Sequence, residues 1–585
     1  MEHKVKIVCT LGPASLKKDV LSAMIDAGMN VARLNFSHGT HESHLEALRL
    51  VRELSADKKR HIAVMLDTKG PEIRTATLER DEPVQLQQGK LFELRPDDGR
   101  PGCGAWVGVT YPRLAEECRA GQDVFIDDGT IHLKIKEIRG SSLICEVVVG
   151  GTLSNHKGIN IPDAEIRMPT LSDKDREDIL WGVKNDVDSI AISFVRSKED
   201  VLAVRRIVED AGGDIKLISK IESRKAIERL REIADVSDGM MVARGDLGVE
   251  IPTEDVPLVQ KQIIDVCRVR GKQTIVATQM LDSMIRNPRP TRAESNDVAN
   301  AVLDGADAVM LSGESAAGRY PVMAVETMVK IVSKAETGLE KWQRPFSVPT
   351  AENSVPDGVS MAAVEIAKKL KARAIVTLTM SGLTARMVSK YRPVCPIVAV
   401  TYSEKTCRSL CLDWGVFPVL SSKTATEDKA VSGAVEAILQ EGYAEEGDLL
   451  VITAGLPLAV SGTTNMIRVY TIGSIVARGL PVIPGVVTGR VAVAKCAEDL
   501  AHLQKGDILV APRTDKSYIS SFDKVSAVLT EQGGLTSHAA IVCLELGIPC
   551  IVGARGATET LSSGMIVTAD CKAGVVYKGA VNAGA

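Results

Sequence analysis

The 585-residue chain has no surplus of basic residues: 71 Lys and Arg stand against 75 Asp and Glu, for a formal net charge of −4. Nucleic acid is therefore a poor candidate for a partner. The twelve cysteines are scattered from Cys9 to Cys571 without one C-x-x-C pair, which argues against a structural zinc site and fits reduced thiols in the cytoplasm. No apolar run approaches the roughly 20 residues that a membrane helix needs. The opening Met1-Glu2-His3-Lys4-Val5-Lys6 runs into a strand-like segment and lacks the apolar core of a signal peptide, so the expectation is a cytoplasmic protein without membrane contact. There is also no G-x-x-x-x-G-K-[ST] loop, no internal repeat and no low-complexity tract. Any nucleotide must then be held by a device other than a P-loop.

What the sequence does have is alternation. Short, apolar, β-branched segments recur between helix-like stretches: Lys6–Thr10, Val31–Asn35, Ile62–Asp67, Ser189–Phe194, Lys216–Lys220, Gly239–Ala243, Thr274–Thr278 and Ala308–Leu311. Ser172–Asn185 and Val256–Arg270 are two of the intervening helices. Eight such strands read as parallel and buried, and an eightfold βα series predicts a closed (β/α)8 TIM barrel with its active residues at the strands' carboxyl ends. Arg33, Asn35, Asp67, Lys220, Glu222, Asp246 and Thr278 all fall at such ends. Residues 71–170 interrupt the series with alternating segments and frequent glycine, which predicts a small β-barrel inserted as a lid over the site. The barrel is thus assigned to 1–70 and 171–345. An α/β domain is expected over 346–473, and a separate block with its own strands over 474–585, which includes the Pro- and Gly-bearing Gly479–Gly485 linker near its start.

The chemistry concentrates in Ile218-Ser219-Lys220-Ile221-Glu222 and Met241-Val242-Ala243-Arg244-Gly245-Asp246. Side chains two apart on a strand share a side, so Lys220 and Glu222 project together. Glu222 and Asp246 on adjacent strand ends suit Mg²⁺, which takes oxygen ligands and leaves room for a substrate phosphate. A lysine beside such an ion suits phosphoryl transfer, whose catalysis is largely charge neutralisation and positioning. Taken singly, Lys220 and Glu222 also read as a strand-end ion pair, Asp246 as a helix cap and Thr278 as a β-former. Their convergence on one rim favours the site. His38, His41 and His44, spaced by three residues, hint at a metal cluster, but zinc is not expected there.

These residues resemble the pyruvate kinase family over roughly 1–473. The motifs are Arg33-Leu34-Asn35-Phe36-Ser37-His38-Gly39, Asp67-Thr68-Lys69-Gly70-Pro71-Glu72-Ile73-Arg74, Ser219–Glu222, Ala243–Gly248 and Ala277-Thr278-Gln279-Met280. The resemblance implies conversion of phosphoenolpyruvate and ADP to pyruvate and ATP by a homotetramer. It implies Mg²⁺ on Glu222 and Asp246, and K⁺ among Asn35, Ser37, Asp67 and Thr68. Arg33, Lys220, Gly245, Asp246 and Thr278 would bind the substrate, with Lys220, Arg33 and Thr278 catalytic. Asn35, His38, Arg74 and Lys157 would contact the nucleotide. In the third domain, Thr379-Met380-Ser381-Gly382-Leu383-Thr384 follows a strand and opens a helix, a phosphate-binding pattern that Gly462–Asn465 would complete. For this family it implies a phosphorylated effector, a sugar phosphate or AMP, on Thr379, Ser381, Gly382 and Thr384.

The last block resembles the swivelling phosphohistidine domain of phosphoenolpyruvate synthase and pyruvate phosphate dikinase, through Thr530–Val542 with His538. Cys543-Leu544-Glu545 replaces the small residue, arginine and acid of that family, which favours a structural or interface role over phosphate transfer by His538. A dikinase working through His538 and a silent metabolite sensor are the rival readings. The first lacks a segment for a nucleotide-grasp domain; the second would call for loss of Lys220, Glu222 or Asp246.

Overall fold

The computed structural model describes residues 3–169, 171–342, 354–423, 426–456 and 463–581. Eight parallel strands close into a barrel in chain order: Lys6–Thr10, Val31–Asn35, Ala63–Asp67, Ser189–Ile192, Lys216–Ile221, Gly239–Ala243, Gln273–Ala277 and Ala308–Leu311. The ring closes where Lys6 pairs with Ala308. Alternate residues face inward and outward, which is why the strands are apolar on both sides. Val8, Val31, Ala63, Met65, Ile218 and Met241 fill the lumen. Their neighbours Ile7, Ala32, Val64, Leu66, Leu217 and Met240 meet the surrounding helices. The same parity carries Thr10, Arg33, Asp67 and Lys220 to the last inward positions, where the barrel opens at its carboxyl rim.

Two strands end earlier than the sequence predicts. The fourth stops at Ile192 and the seventh at Ala277. Phe194, Thr278 and Gln279 adopt left-handed backbone, at φ 53°, 65° and 54°, which turns the chain sharply across the rim.

The insert has its own core around Leu94, Val107, Val124, Leu133 and Cys145. It consists of a six-stranded sheet ordered Ile159–Asn160, Asp123–Ile126, Ile131–Arg139, Ser142–Val149, Leu91–Pro96 and Trp106–Val109, beside a two-stranded ribbon of Val84–Leu86 and Gly151–Leu153. The barrel's amino end is closed by Ser403–Pro418, a segment folded into the same compact unit, whose Cys411 and Leu412 join the lumen cluster. Buried ion pairs hold this base: Arg408 to Asp188 and Arg392 to Asp307, each at 2.8 Å.

The second compact unit holds Ser354–Val388, Pro393–Tyr402 and the residues from 419 onward. Within its first sheet Ile397–Thr401, Ala374–Leu378, Leu449–Gly455 and Thr464–Thr471 follow in that order, the last antiparallel to its neighbour. The final block is an eight-stranded sheet carrying the helix His538–Leu546.

Candidate active site

Lys220 Nζ lies 2.8 Å from Glu222 Oε1 and 3.4 Å from Asp67 Oδ1, and it donates to Ser193 Oγ at 2.8 Å. Arg33 donates through Nε to Asp67 Oδ2 at 2.6 Å and through Nη1 to Thr10 Oγ1 at 2.9 Å. All of these groups are withdrawn from solvent, Asp67 and Glu222 almost completely. Burial alone would discharge the Lys220 ammonium, but Asp67 and Glu222 outweigh it and raise its pKa above the ordinary lysine value. Burial likewise pushes Asp67 up, and Arg33 and Lys220 overcome that push, holding it below the usual carboxylate range. The cluster therefore presents a permanent cation at the rim.

Glu222 Oε2 accepts the Phe194 amide at 2.6 Å. Its Oε1 is buried beside Lys220 yet lacks an aligned hydrogen bond. Asp246 stands in the short helix Arg244–Glu250 that follows the sixth strand. Its burial, and next the nearby Glu222 charge, raise its pKa to about 7; Lys220 opposes, while Asp128 and Glu72 add to the rise. Two acidic groups that repel each other, one with an unaligned buried oxygen, fit a hard divalent cation. The donor set suits Mg²⁺.

The Gly245 amide donates to Thr278 Oγ1 at 2.9 Å, and that hydroxyl donates to the Ala277 carbonyl at 2.7 Å. The amide of Gly245, a residue expected to bind the substrate, thus has Thr278 as its partner. Arg244 clamps the same turn: it donates to the Thr278 carbonyl at 2.6 Å and forks onto Asp297 at 2.8 and 2.6 Å.

Asp246, Arg74 and Lys157 line one cavity of about 500 Å³ between the insert and the barrel rim, together with Glu72, Asp128 and Phe194. Arg74 is paired with Glu72, and Lys157 with Asp127 at 3.0 Å. Among the oxygens expected around K⁺, Asn35 Oδ1 accepts the Ser37 amide at 3.1 Å and Thr68 Oγ1 accepts the Ser193 amide at 3.1 Å. Asp67 is already shared by Arg33 and Lys220. His38 is exposed and lies outside the lining of that cavity. His41 pairs with Asp178 at 2.6 Å, and His44 holds the His38 carbonyl at 2.9 Å. The His41 and His44 rings are thus engaged by different partners.

In the second unit, Thr379 Oγ1 accepts the Gly382 amide at 3.0 Å, Ser381 accepts Arg386 through its carbonyl, and Thr384 bonds Thr464 at 2.8 Å. Thr379 borders a small pocket of about 80 Å³ with Thr401, Tyr402 and Ser421. Gly462, assigned to this pocket from sequence, lies outside the described residues.

Sequence reasoning missed Ser193, which links Lys220 to the Thr68 carbonyl at 2.6 Å, and Arg244. Ser193 also stands at a strand's carboxyl end, and that position was the available signal. Gly70, at φ +70°, is obligatory beside it, because a Cβ there would come within 2.8 Å of the Ser193 Cβ.

A permanent cation among acids, at the carboxyl rim of a closed βα barrel, marks an enzyme that handles anionic substrates. Comparison with known proteins agrees and narrows the class. Residues 2–325 match the family described as pyruvate kinase, barrel domain, residues 357–470 its alpha/beta domain, and residues 503–574 the PEP-utilising enzyme, mobile domain. The pyruvate kinase of Sporosarcina psychrophila is 44% identical over 583 residues, and that of Geobacillus stearothermophilus 45% over 585; each match covers 99% of both chains. A solved pyruvate kinase from Cryptosporidium parvum superposes with a TM-score of 0.75 at 38% identity, over 80% of this chain and 96% of that one. The chain belongs to the pyruvate kinase family and is a phosphotransferase. The family is generally dependent on Mg²⁺ and K⁺. Among the described residues, no helix is long and apolar enough to cross a membrane.

Proposed function

We propose that the rim cluster transfers the phosphoryl group of phosphoenolpyruvate to ADP, giving pyruvate and ATP. The bond from phosphorus to the enol oxygen breaks, one forms to a terminal oxygen of ADP, and the enolate left behind takes a proton at its methylene carbon. The observation that carries this reading is Lys220, largely withdrawn from solvent yet held charged between Asp67 and Glu222. Negative charge shifts onto the transferring group and the enolate as reaction proceeds, and a fixed cation stabilises that shift with little reorganisation. Mg²⁺, held by Glu222 and Asp246, would supply further positive charge there. Arg33 is aimed by Asp67 and Thr10 and offers its remaining guanidinium hydrogens to the phosphate, a forked geometry that lysine lacks. Thr278, fixed between the Gly245 amide and the Ala277 carbonyl, belongs to the path that protonates the enolate. Arg74 and Lys157 would meet the nucleotide phosphates across the cavity, and Asn35 and His38, at the end of the second strand and on its loop, are assigned to the same nucleotide. K⁺ would sit among Asn35, Ser37, Asp67 and Thr68.

The homotetramer, the cytoplasmic location and an effector (a sugar phosphate or AMP) at Thr379, Ser381, Gly382 and Thr384 belong to the same reading. The deciding experiment is ADP-dependent pyruvate formation followed by a coupled assay, with and without Mg²⁺ and K⁺, then with candidate effectors. Absence of ADP-dependent pyruvate under all conditions would sink it. Acid-labile label on His538 from labelled phosphoenolpyruvate would favour the dikinase alternative; His538 Nδ1 bonds Thr514 Oγ1 at 2.9 Å.

A further inference from the structure

The four oxygens assigned to K⁺ come from two separate strand ends and the loops they enter: Asn35 and Ser37 at the second strand, Asp67 and Thr68 at the third. Both loops are tied to the first turn of a single helix, Asp173–Lys184. Lys174 Nζ donates to the Phe36 carbonyl at 2.9 Å, and Asp175 Oδ1 accepts the Gly70 amide at 2.9 Å. Neither side chain belongs to the assigned ligand set. Asp175 is wholly buried and is also fixed by the capping box with Ser172.

The Lys174 side is reinforced along one helix face, since residues three and four apart share a side. Asp178 Oδ2 takes Lys174 at 2.6 Å, and its other oxygen takes His41 Nε2 at 2.6 Å. Trp181, one turn further on, packs against the buried Phe36 ring at 5.1 Å; His44 stacks on the same ring at 4.0 Å, and His41 meets it at 5.9 Å. His44 Nε2 then holds the His38 carbonyl at 2.9 Å. The Phe36 carbonyl, in the peptide plane that leads into Ser37, and the His38 carbonyl, in the plane after His38, are thus held by side chains outside the assigned ligand set, which fixes the rotation of those two planes on either side of the Ser37–His38 segment.

We propose that Lys174 is a positioning residue that, with Asp175, sets the spacing of the two loops supplying the monovalent-cation oxygens. The inference rests on the assignment of Asn35, Ser37, Asp67 and Thr68 to K⁺ made above. Outer contacts that orient ligands commonly change metal affinity by about 10–100-fold when removed. Lys174→Met, close in length but without a donor, should therefore raise the K⁺ concentration for half-maximal activation by about tenfold or more, and saturating K⁺ should restore turnover. The KM for phosphoenolpyruvate at saturating K⁺ should stay near that of the parent protein. A readout independent of turnover is the K⁺-dependent rise in melting temperature at constant ionic strength, whose midpoint should move by the same factor. Lys174→Arg, which keeps a donor, should recover most of the shift.

Asn35→Ala separates the two levels of the argument. If Asn35→Ala leaves the K⁺ midpoints unmoved, the assignment of the cation site fails. If Asn35→Ala moves them and Lys174→Met does not, the clamp alone is wrong. A fall in turnover that no K⁺ concentration restores would also overturn the clamp, since that is what general damage produces. Should Lys174→Met not fold, Asp178→Asn, which loosens the ammonium's anchor, must shift both midpoints in the same direction, and an unshifted Asp178→Asn protein overturns the proposal.

Discussion

Lys220 and Glu222, two residues apart on one strand end, meet at 2.8 Å, and Asp67 approaches the same ammonium from the third strand at 3.4 Å. An ion pair of this kind is ordinarily a structural feature. Here the cation is shared between two buried acids, so its charge survives burial and is available to a migrating phosphoryl group. The pairing and the catalytic role are one arrangement.

Lys220→Met should reduce kcat by about 100- to 1,000-fold or more, the range seen when one preorganised electrostatic donor is lost. Phosphoenolpyruvate and Mg²⁺ should still bind within several-fold of the parent, because the lost interaction matters most in the transition state. Steady-state kinetics with calorimetric titration of the metal and substrate tests this. Equal losses in binding and turnover would mark Lys220 as a structural cation only.

Asp246 gives a pH prediction. Its pKa in the folded protein, about 7, is above the unfolded carboxylate value of about 3.9. The folded state therefore keeps a proton that the unfolded state has released, and this group destabilises the metal-free fold progressively as pH rises from about 4 to about 7. Asp246→Asn lacks the effect. In chelator, the melting temperature of the parent minus that of Asp246→Asn should become more negative from pH 5 to pH 8. Mg²⁺ should reverse the trend for the parent alone. A difference that stays flat with pH in chelator would exclude the raised pKa.

Much of the rim was legible because strand parity is a local property. Arg33, Asp67 and Lys220 follow the lumen-facing beat of Val31, Met65 and Ile218, and that beat is visible in the residues themselves. Ser193 was hidden for the opposite reason. Ser189–Phe194 reads as one continuous strand, and the left-handed turn at Phe194, φ 53°, is set by Glu222 accepting its amide from another strand. The base of the barrel was equally out of reach. Ser403–Pro418 continues the third domain's alternation in sequence, and only tertiary packing of Cys411 and Leu412 places it beneath the barrel.

Thr278 combines a β-branched side chain with φ 65°, a conformation that costs on the order of 1–3 kcal/mol and persists where surroundings enforce it. Arg244 on its carbonyl and Gly245 on its hydroxyl provide that enforcement. Thr278→Val keeps the shape but removes the oxygen that the Gly245 amide and the enolate path share. Exchange of the pyruvate methyl protons with solvent should fall more than phosphoenolpyruvate affinity does, and Thr278→Ser should recover part of it. Loss of affinity with intact methyl exchange would remove Thr278 from the proton path.

The last prediction concerns the base. Asp307 is buried, and accepts Arg392 at 2.8 Å and the Thr274 amide at 2.9 Å. Arg268 stands close enough to feel both: burial first, and Arg392 second, lower its pKa to about 9, while Asp307 opposes. Asp307→Ala removes the buried acid that Arg392 meets at 2.8 Å, and breaking a buried ionic group in this way costs about 3–5 kcal/mol. The variant should melt earlier. Replacing Arg392 by Met in the same chain should return part of the lost stability, the coupling being read from a double-mutant cycle. Activity of the folded fraction should remain near the parent value, since the Asp307 pair lies at the amino end of the strands and the reacting groups at the other. A large loss of kcat in a fully folded Asp307→Ala protein would instead mean that the base and the rim are energetically linked through the barrel.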